Sequence, residues 1–425
     1  MSKRVLVLTL WFALSGFFSA NAQTTLCPYS QHLTGLACLI PDATRAGITP
    51  GLGNFNTTVA QAISQLPLAV PVSGFVLGFD KKLGIPIEEN QNLGSVITER
   101  GDTIGKYKMF VGFTFQRFTF KSIDGTNLND MPLVFAPQTG SGQIGYNVDS
   151  LSANVNQYTA IAAFGVTDRV DVSVILPFDR VSLSGGHSKG FENVYPNTCV
   201  PNTNCGTNTT SAYGGGSASG VGDLLLSIKG TVLKAEKSRV ALGLEGRFPT
   251  GDAYNLLGSG AYGVKPFVVF SRHAGRYTPH VNVGYQWNGF SVLRINNCYF
   301  AQTCLNGSGL PTLRLPDDIE YSAGADIGIV KKLSLVADLV GQRFFNGPRV
   351  TRAAAVPAYQ APYLPANSTS IGVANSSYNL DNLGIGLKVN PAGHLIISAN
   401  ALIRLDNNGL RPARFVPLVG VSYRF

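Results

Sequence analysis

Long stretches of the chain alternate apolar and polar residues with the period of two that a β-strand imposes. In Val170–Asp179, the residues Val170, Val172, Val174, Leu176 and Phe178 share one face, while Asp171, Ser173 and Asp179 share the other. In Gly222–Val232, Leu224, Leu226, Ile228 and Val232 oppose Asp223, Ser227, Lys229 and Thr231. Val240–Phe248, Tyr277–Asn288 and Ile319–Ile329 repeat the pattern, with Glu245, Arg247, His280, Glu320 and Asp326 on their polar faces. Such runs match the roughly 9–11 residues that a tilted strand needs to cross an outer membrane. From Lys106 onward the spacing predicts twelve strands: 106–120, 154–166, 169–181, 222–234, 239–249, 263–272, 277–288, 319–330, 333–345, 379–389, 394–405 and 413–425. The second is the least regular, because Asn154, Asn156, Gln157 and Tyr158 blur its alternation.

A soluble sandwich also alternates, and three features favour a membrane barrel over it. Connections alternate short and long. Brief turns fall at 167–169, 236–238, 273–275, 331–332 and 391–393, and Gly-, Asn- and Ser-rich stretches at about 122–150, 184–220, 288–318 and 347–377. Short periplasmic turns and long external loops are the rule for outer-membrane barrels. Aromatic residues gather at strand ends (Phe118, Phe120, Phe178, Tyr285, Trp287, Phe344 and Phe345), as rings at a membrane–water interface do. The chain ends in an alternating strand with Tyr423 and Phe425 on one face, which resembles the C-terminal assembly signal of such barrels. The expected fold class is all-β: a transmembrane antiparallel up-and-down β-barrel of about twelve strands, with a short N-terminal periplasmic or plug segment. An even strand number returns both ends to the periplasm, and closure removes unpaired edges. Fourteen strands would require two more from residues 70–105, where Val72–Asp80 is the one strand-like piece.

The N-terminus changes the picture of where the chain goes. Lys3 and Arg4, the apolar stretch Val5–Leu14 and the small residues of Ala20-Asn21-Ala22 form the pattern of a secretory signal, with cleavage expected after Ala22. Residues 23–105 are punctuated by Pro and Gly, and Thr57–Leu66 is their one helix candidate. They form either a periplasmic extension or a plug in the barrel, and 106–425 form the barrel itself. The destination is the bacterial outer membrane, with lipid and the barrel-assembly machinery as partners.

Composition agrees. The chain is 13% charged and 44% hydrophobic, with 48 Gly, 24 Phe and 16 Tyr but only 3 Met, a mix poor in helix formers and rich in strand and turn formers. Removing Lys3 and Arg4 with the signal leaves 31 basic against 24 acidic residues. The basic residues are scattered singly, which argues against nucleic acid as a partner. Six cysteines form three local pairs, Cys27 with Cys38, Cys199 with Cys205 and Cys298 with Cys304. In an exported chain an even count suggests disulfides, and no pair has the tight spacing of a zinc site.

Ala162–Val174 followed by Pro177-Phe178, Gly222–Gly230, and Ala241–Asp252 with its Pro249-Thr250-Gly251-Asp252 run together resemble the outer-membrane transporter family named for the meta-pathway of phenol degradation. The resemblance is clearest over 160–290. It implies passive transfer of hydrophobic or aromatic compounds, without naming a substrate. The cysteine-bearing loops and the long N-terminal segment depart from the family pattern.

If the apolar faces meet lipid, Lys108, Asp171, Asp223, Lys229, Glu245, Arg247, His280, Asp326, Asp338, Lys388 and Arg404 point into the lumen. Both signs are present, so neither an anion nor a cation filter is evident. The charges either brace a packed interior or line a path. Ile175, Phe267, Val269, Val336 and Val340 fall on inward faces by strict alternation and suit a greasy path, unless a one-residue register error turns them outward. An enzyme is not expected. Among five histidines only His280 faces the lumen within a strand, and neither a G-x-S-x-G elbow nor an H-E-x-x-H pair occurs. No cofactor or metal is implied. The expected function is passive uptake of small hydrophobic or aromatic compounds. The alternatives are a structural or adhesive barrel acting through disulfide-stiffened loops, or a barrel lipase.

Overall fold

A computed structural model describes residues 35–40, 55–67, 77–80, 85–88, 98–135, 143–193, 210–295, 312–330, 332–354 and 369–425. The signal segment and Cys27, Cys199, Cys205, Cys298 and Cys304 lie outside these residues, as does the side chain of Cys38. No described helix is long and apolar enough to cross a membrane.

Twelve strands form the barrel: β1 (Met109–Ile123), β2 (Gln143–Gly165), β3 (Val170–Asn193), β4 (Leu224–Lys234), β5 (Ser238–Phe248), β6 (Gly263–Arg272), β7 (Tyr277–Asn288), β8 (Asp318–Val330), β9 (Leu333–Ala354), β10 (Thr369–Ala392), β11 (Leu395–Arg404) and β12 (Phe415–Arg424). Each pairs antiparallel with its neighbours in sequence. The ring closes where β12 pairs with β1, from Leu418 opposite Gln116 to Arg424 opposite Phe110. Among the described residues, Leu77–Asp80 pairs only with Ile85–Glu88, in a separate two-stranded sheet. The number is therefore twelve and not fourteen.

The wall is apolar outside and polar inside, the inverse of a soluble protein. Val172, Val174, Leu226, Ile228, Leu242, Leu244, Val281 and Val283 are exposed, while Asp171, Ser173, Ser227 and Lys229 are buried. Only a lipid surround makes that arrangement favourable, since burial in water would drive the apolar face inward. Aromatic pairs sit on the outer surface near both rims: Tyr285 with Trp287 and Phe345, and Tyr423 with Phe425.

Four strands run far beyond the expected spans. β2 has 23 residues, β3 24, β9 22 and β10 24. Their outer halves invert the pattern. On β3, Val181 and Leu183 are buried inside, with Arg180 and Ser184 facing out. On β2, Ala153 and Val155 turn inward and Asn154 and Asn156 outward. On β1, Phe118 and Phe120 are buried inside and stacked on each other, so they are not interface residues, and Phe344 on β9 is likewise buried. Past the membrane the wall faces water, so the ordinary apolar-in pattern returns.

What these inverted faces enclose is the N-terminal segment. The helix α1 (Phe55–Ser64) and a 3₁₀ turn over Gly35–Leu39 pack with Phe118, Phe120, Leu151, Val155, Val181, Leu183 and Val416 in one apolar cluster. The short strand Thr210–Val221 continues the wall beside the outer half of β3.

Candidate functional site

Near the short-turn ends of the strands, residues 98–104 lie inside the ring. They have no ladder partners there, so lumen side chains take up their backbone groups, as buried backbone requires. Thr231 Oγ1 donates to the Gly101 carbonyl at 2.6 Å, and the Gly101 N–H reaches Ser271 Oγ at 3.2 Å. Asp171 Oδ2 accepts from the Ile104 N–H at 2.8 Å, and Arg424 Nη2 donates to the Ile104 carbonyl at 2.8 Å.

Ion pairs fix the same segment. Arg100 Nε and Nη2 contact Asp326 Oδ2 at 2.9 and 2.5 Å, with both side chains fully enclosed. His280 Nε2 lies 2.8 Å from Asp338 and 2.7 Å from Thr98 Oγ1. Lys229 Nζ sits 2.7 Å from Glu99 and 3.2 Å from the Arg100 carbonyl. Asp102 is held by Arg239 at 3.3 Å and His273 at 2.9 Å. Burial pushes the Asp102 carboxyl upward, but the His273 hydrogen bond and the charges of His273, Arg100 and Arg239 outweigh it and leave the group below its ordinary range. This half of the barrel is thus packed with ion-paired side chains.

Toward the outer half the lumen opens into a cavity of about 230 Å³. Its floor includes Glu99 and its roof Ile63 to Pro67 at the end of α1. Gln116 donates to the Pro67 carbonyl at 3.3 Å and so ties the roof to β1. Lys265 bridges Glu245 and Glu320 at 2.8 and 2.7 Å. Arg247 donates to Asn288 at 2.5 Å and lies 4.0 Å from Asp223. Leu225, Leu257, Phe267, Val269 and Val340 supply apolar wall. The Phe267 ring lies over Gly243, where an added Cβ would come within 2.1 Å of it.

The short motifs that carried the family resemblance meet at one edge of this cavity. Asp223 accepts from the backbone N–H groups of Gly251 and Ser259, and Thr250 Oγ1 donates to the Gly222 carbonyl while accepting from the Leu224 N–H. Asp252 caps the 3₁₀ turn Ala253–Asn255, and Asn255 Oδ1 accepts from Leu36 N–H. Gly-Asp-Leu and Pro-Thr-Gly-Asp form one clamp that holds residues 249–261 across the barrel mouth.

Placed residue by residue, Asp171, Lys229, His280, Asp326, Asp338 and Lys388 are buried inside the packed half. Asp223, Glu245 and Arg247 line the cavity. Lys108 precedes β1 and is half-buried. Arg404 lies at the outer end, donating to Ser122 and the Pro412 carbonyl. Ile175, Val269 and Val336 are buried inward, as strict alternation expects. Sequence reasoning missed Glu99, Arg100, Asp102, Arg239 and Lys265. Lys265 shares the parity of Phe267 and Val269 and was legible from it. The Glu99-Arg100-Gly101-Asp102 cluster stands out in a charge-poor chain, but nothing local assigns its partners.

No curated protein matches the sequence. Among solved structures, the chain is similar to an outer membrane channel from Pseudomonas putida F1 at 13% identity, over 78% of this chain and 100% of that one, with a TM-score of 0.43. It is similar to the translocator domain of the autotransporter NalP from Neisseria meningitidis at 12% identity, over 76% and 90%, with a TM-score of 0.33. It is also similar to the P. putida toluene transporter TodX at 8% identity, over 75% and 89%, with a TM-score of 0.32. Residues 137–299 match the family model described as "Putative MetA-pathway of phenol degradation", and the motifs at 162–178, 222–230 and 241–252 fall within that span.

Proposed function

We propose that this chain is an outer-membrane channel that lets small hydrophobic or aromatic compounds enter by passive diffusion, and not an enzyme. The observation that carries the reading is a cavity with apolar wall enclosed by a closed, lipid-facing barrel. The family match over 137–299 supports the same class of solute.

In this reading the signal is removed after Ala22, and the three local cysteine pairs stiffen the N-terminal segment and two outer loops. The barrel-assembly machinery recognises Tyr423 and Phe425. Residues 23–105 act as a plug: α1 fills the outer mouth, and 98–104 fill the inner one. The charges of the packed half brace the plug, and those of the cavity meet the solute.

Single-channel conductance in a planar bilayer tests this, with the mature chain and with a chain lacking residues 23–105. A plugged channel gives small or intermittent current when complete and steady current after truncation. Steady current from the complete chain removes the plug. Silence from both, together with unchanged uptake of labelled aromatic compounds by cells lacking the protein, removes the channel and leaves a structural barrel.

A further inference from the structure

The cavity wall carries more acidic than basic side chains, and that excess selects a class of solute. Six carboxylates contribute to it, from Glu99, Asp179, Asp223, Glu245, Asp318 and Glu320, against two cations, Arg247 and Lys265. This is a local reversal, because the chain as a whole carries +9. Both cations are already engaged, Lys265 by Glu245 and Glu320, and Arg247 by Asn288 and Asp223. Glu99 is matched by Lys229 from below.

Asp179 and Asp318 belong to none of these pairs. They are 7% and 2% exposed. Each keeps one amide contact, from Gln157 and from Asn288 respectively, and each leaves its Oδ1 buried without a hydrogen-bond partner. Asn282 Oδ1, on the same wall, is likewise without a donor. Three acceptor oxygens in this wall therefore have no protein donor. A cleft with an excess of one sign of charge and low-dielectric walls concentrates counter-ions. The apolar wall of Leu225, Leu257, Phe267, Val269 and Val340 suits a hydrocarbon body, and the face of Phe267 favours a cation over an anion.

We propose that this cavity prefers small organic cations with an apolar or aromatic body, arylammonium ions in particular, and disfavours aromatic anions. The inference rests on the transport reading above and narrows its substrate class. The solute's charge meets the excess carboxylates of the wall, Asp179 and Asp318 among them, while its ring lies against Phe267.

The test uses the full mature protein in liposomes and two permanently charged probes, phenyltrimethylammonium and benzenesulfonate, neither of which crosses lipid readily unaided. The quaternary probe reads charge alone, and benzylammonium added as a competitor reads the N–H donors. The cation is expected to enter roughly tenfold faster than the anion, and benzylammonium to slow it. Asp179→Asn combined with Asp318→Asn keeps the side-chain shapes and should bring the ratio close to one. Asp130→Asn, in an exposed outer turn, should leave it unchanged. Heat-resistant gel mobility confirms that each variant is folded. Equal entry of both probes, faster entry of the anion, or a ratio indifferent to the double substitution overturns the preference while the channel stands. Exclusion of both probes also overturns it, and the conductance measurement then decides whether the channel reading falls too.

Discussion

Arg100 and Asp326 are both fully enclosed, and two guanidinium nitrogens meet one carboxylate oxygen, Oδ2. An enclosed ion pair gains little over an apolar pair of the same shape, but removing one partner strands the other charge in a medium that cannot solvate it. Arg100→Ala should therefore cost about 3–5 kcal/mol, measured as a shift of the urea midpoint of the barrel in detergent. Asp326→Asn, which keeps a hydrogen-bond acceptor, should cost less. A loss below 1 kcal/mol in Arg100→Ala would mean that water already reaches the pair. Asp102 allows a pH prediction with a definite sign. Its carboxyl titrates below its ordinary value in the folded chain, so its contribution is present above the unfolded value and is lost as pH falls through the folded one. The amide protection factor of Gly101 should stay high from neutral pH down to about 4, near the unperturbed carboxylate value, and fall below it. Protection that fades already between pH 7 and 5 would contradict the assignment.

At the scale of elements, the reversal of face along β1, β2 and β3 marks where the membrane ends. On β3, Val172, Val174, Leu176 and Phe178 face lipid. Two residues later Arg180 takes the outer face, and Val181 and Leu183 take the inner one. This explains why the second strand looked irregular in sequence: Asn154 and Asn156 sit above the lipid on an outward face, beside apolar inward neighbours. A period-two template with one fixed polarity reads such a crossing as noise. The boundary can be tested within one strand. Val174→Arg should destabilise the barrel by about 2–4 kcal/mol, as arginine does on a lipid face near mid-membrane. Ser182→Arg, eight residues further along the same face, should change stability by no more than about 0.5 kcal/mol. Equal penalties at both sites would place the outer half of β3 inside the lipid. The long outer extensions also set the depth of the cavity, because only a wall that continues past the membrane can enclose α1.

For the whole molecule, the barrel and the N-terminal segment complete one another. The inverted outer faces share one apolar cluster with α1, the 3₁₀ turn and Ala253, Leu256 and Leu257, and Lys229, Arg239 and Asp326 find their counter-charges on residues 99–102. A chain lacking residues 23–105 should still close, because its strand pairing is independent of the segment. It should unfold at a urea concentration well below that of the complete chain, by several kcal/mol in all, since each stranded buried charge costs about 3–5 kcal/mol. Identical midpoints would show that the segment only rests in the lumen.

The sequence by itself determined the barrel. Strand number, register parity, the lipid-facing set and most inward charges follow from a period of two, because a pleated backbone forces successive side chains to opposite faces. Residues 222–230 and 249–252 were recognisable as motifs, but their mutual clamp was not, since it joins the two ends of one long hairpin. What only the tertiary structure decided is what fills the ring. Alternation states that Asp326 and His280 point inward, not that Arg100 and Thr98, some two hundred residues away, meet them there. It likewise places Asp179 and Asp318 inside without showing that each is left one donor short. Those facts depend on distances across the lumen, which are set by the closure of all twelve strands and by the path of a segment that has no periodicity of its own.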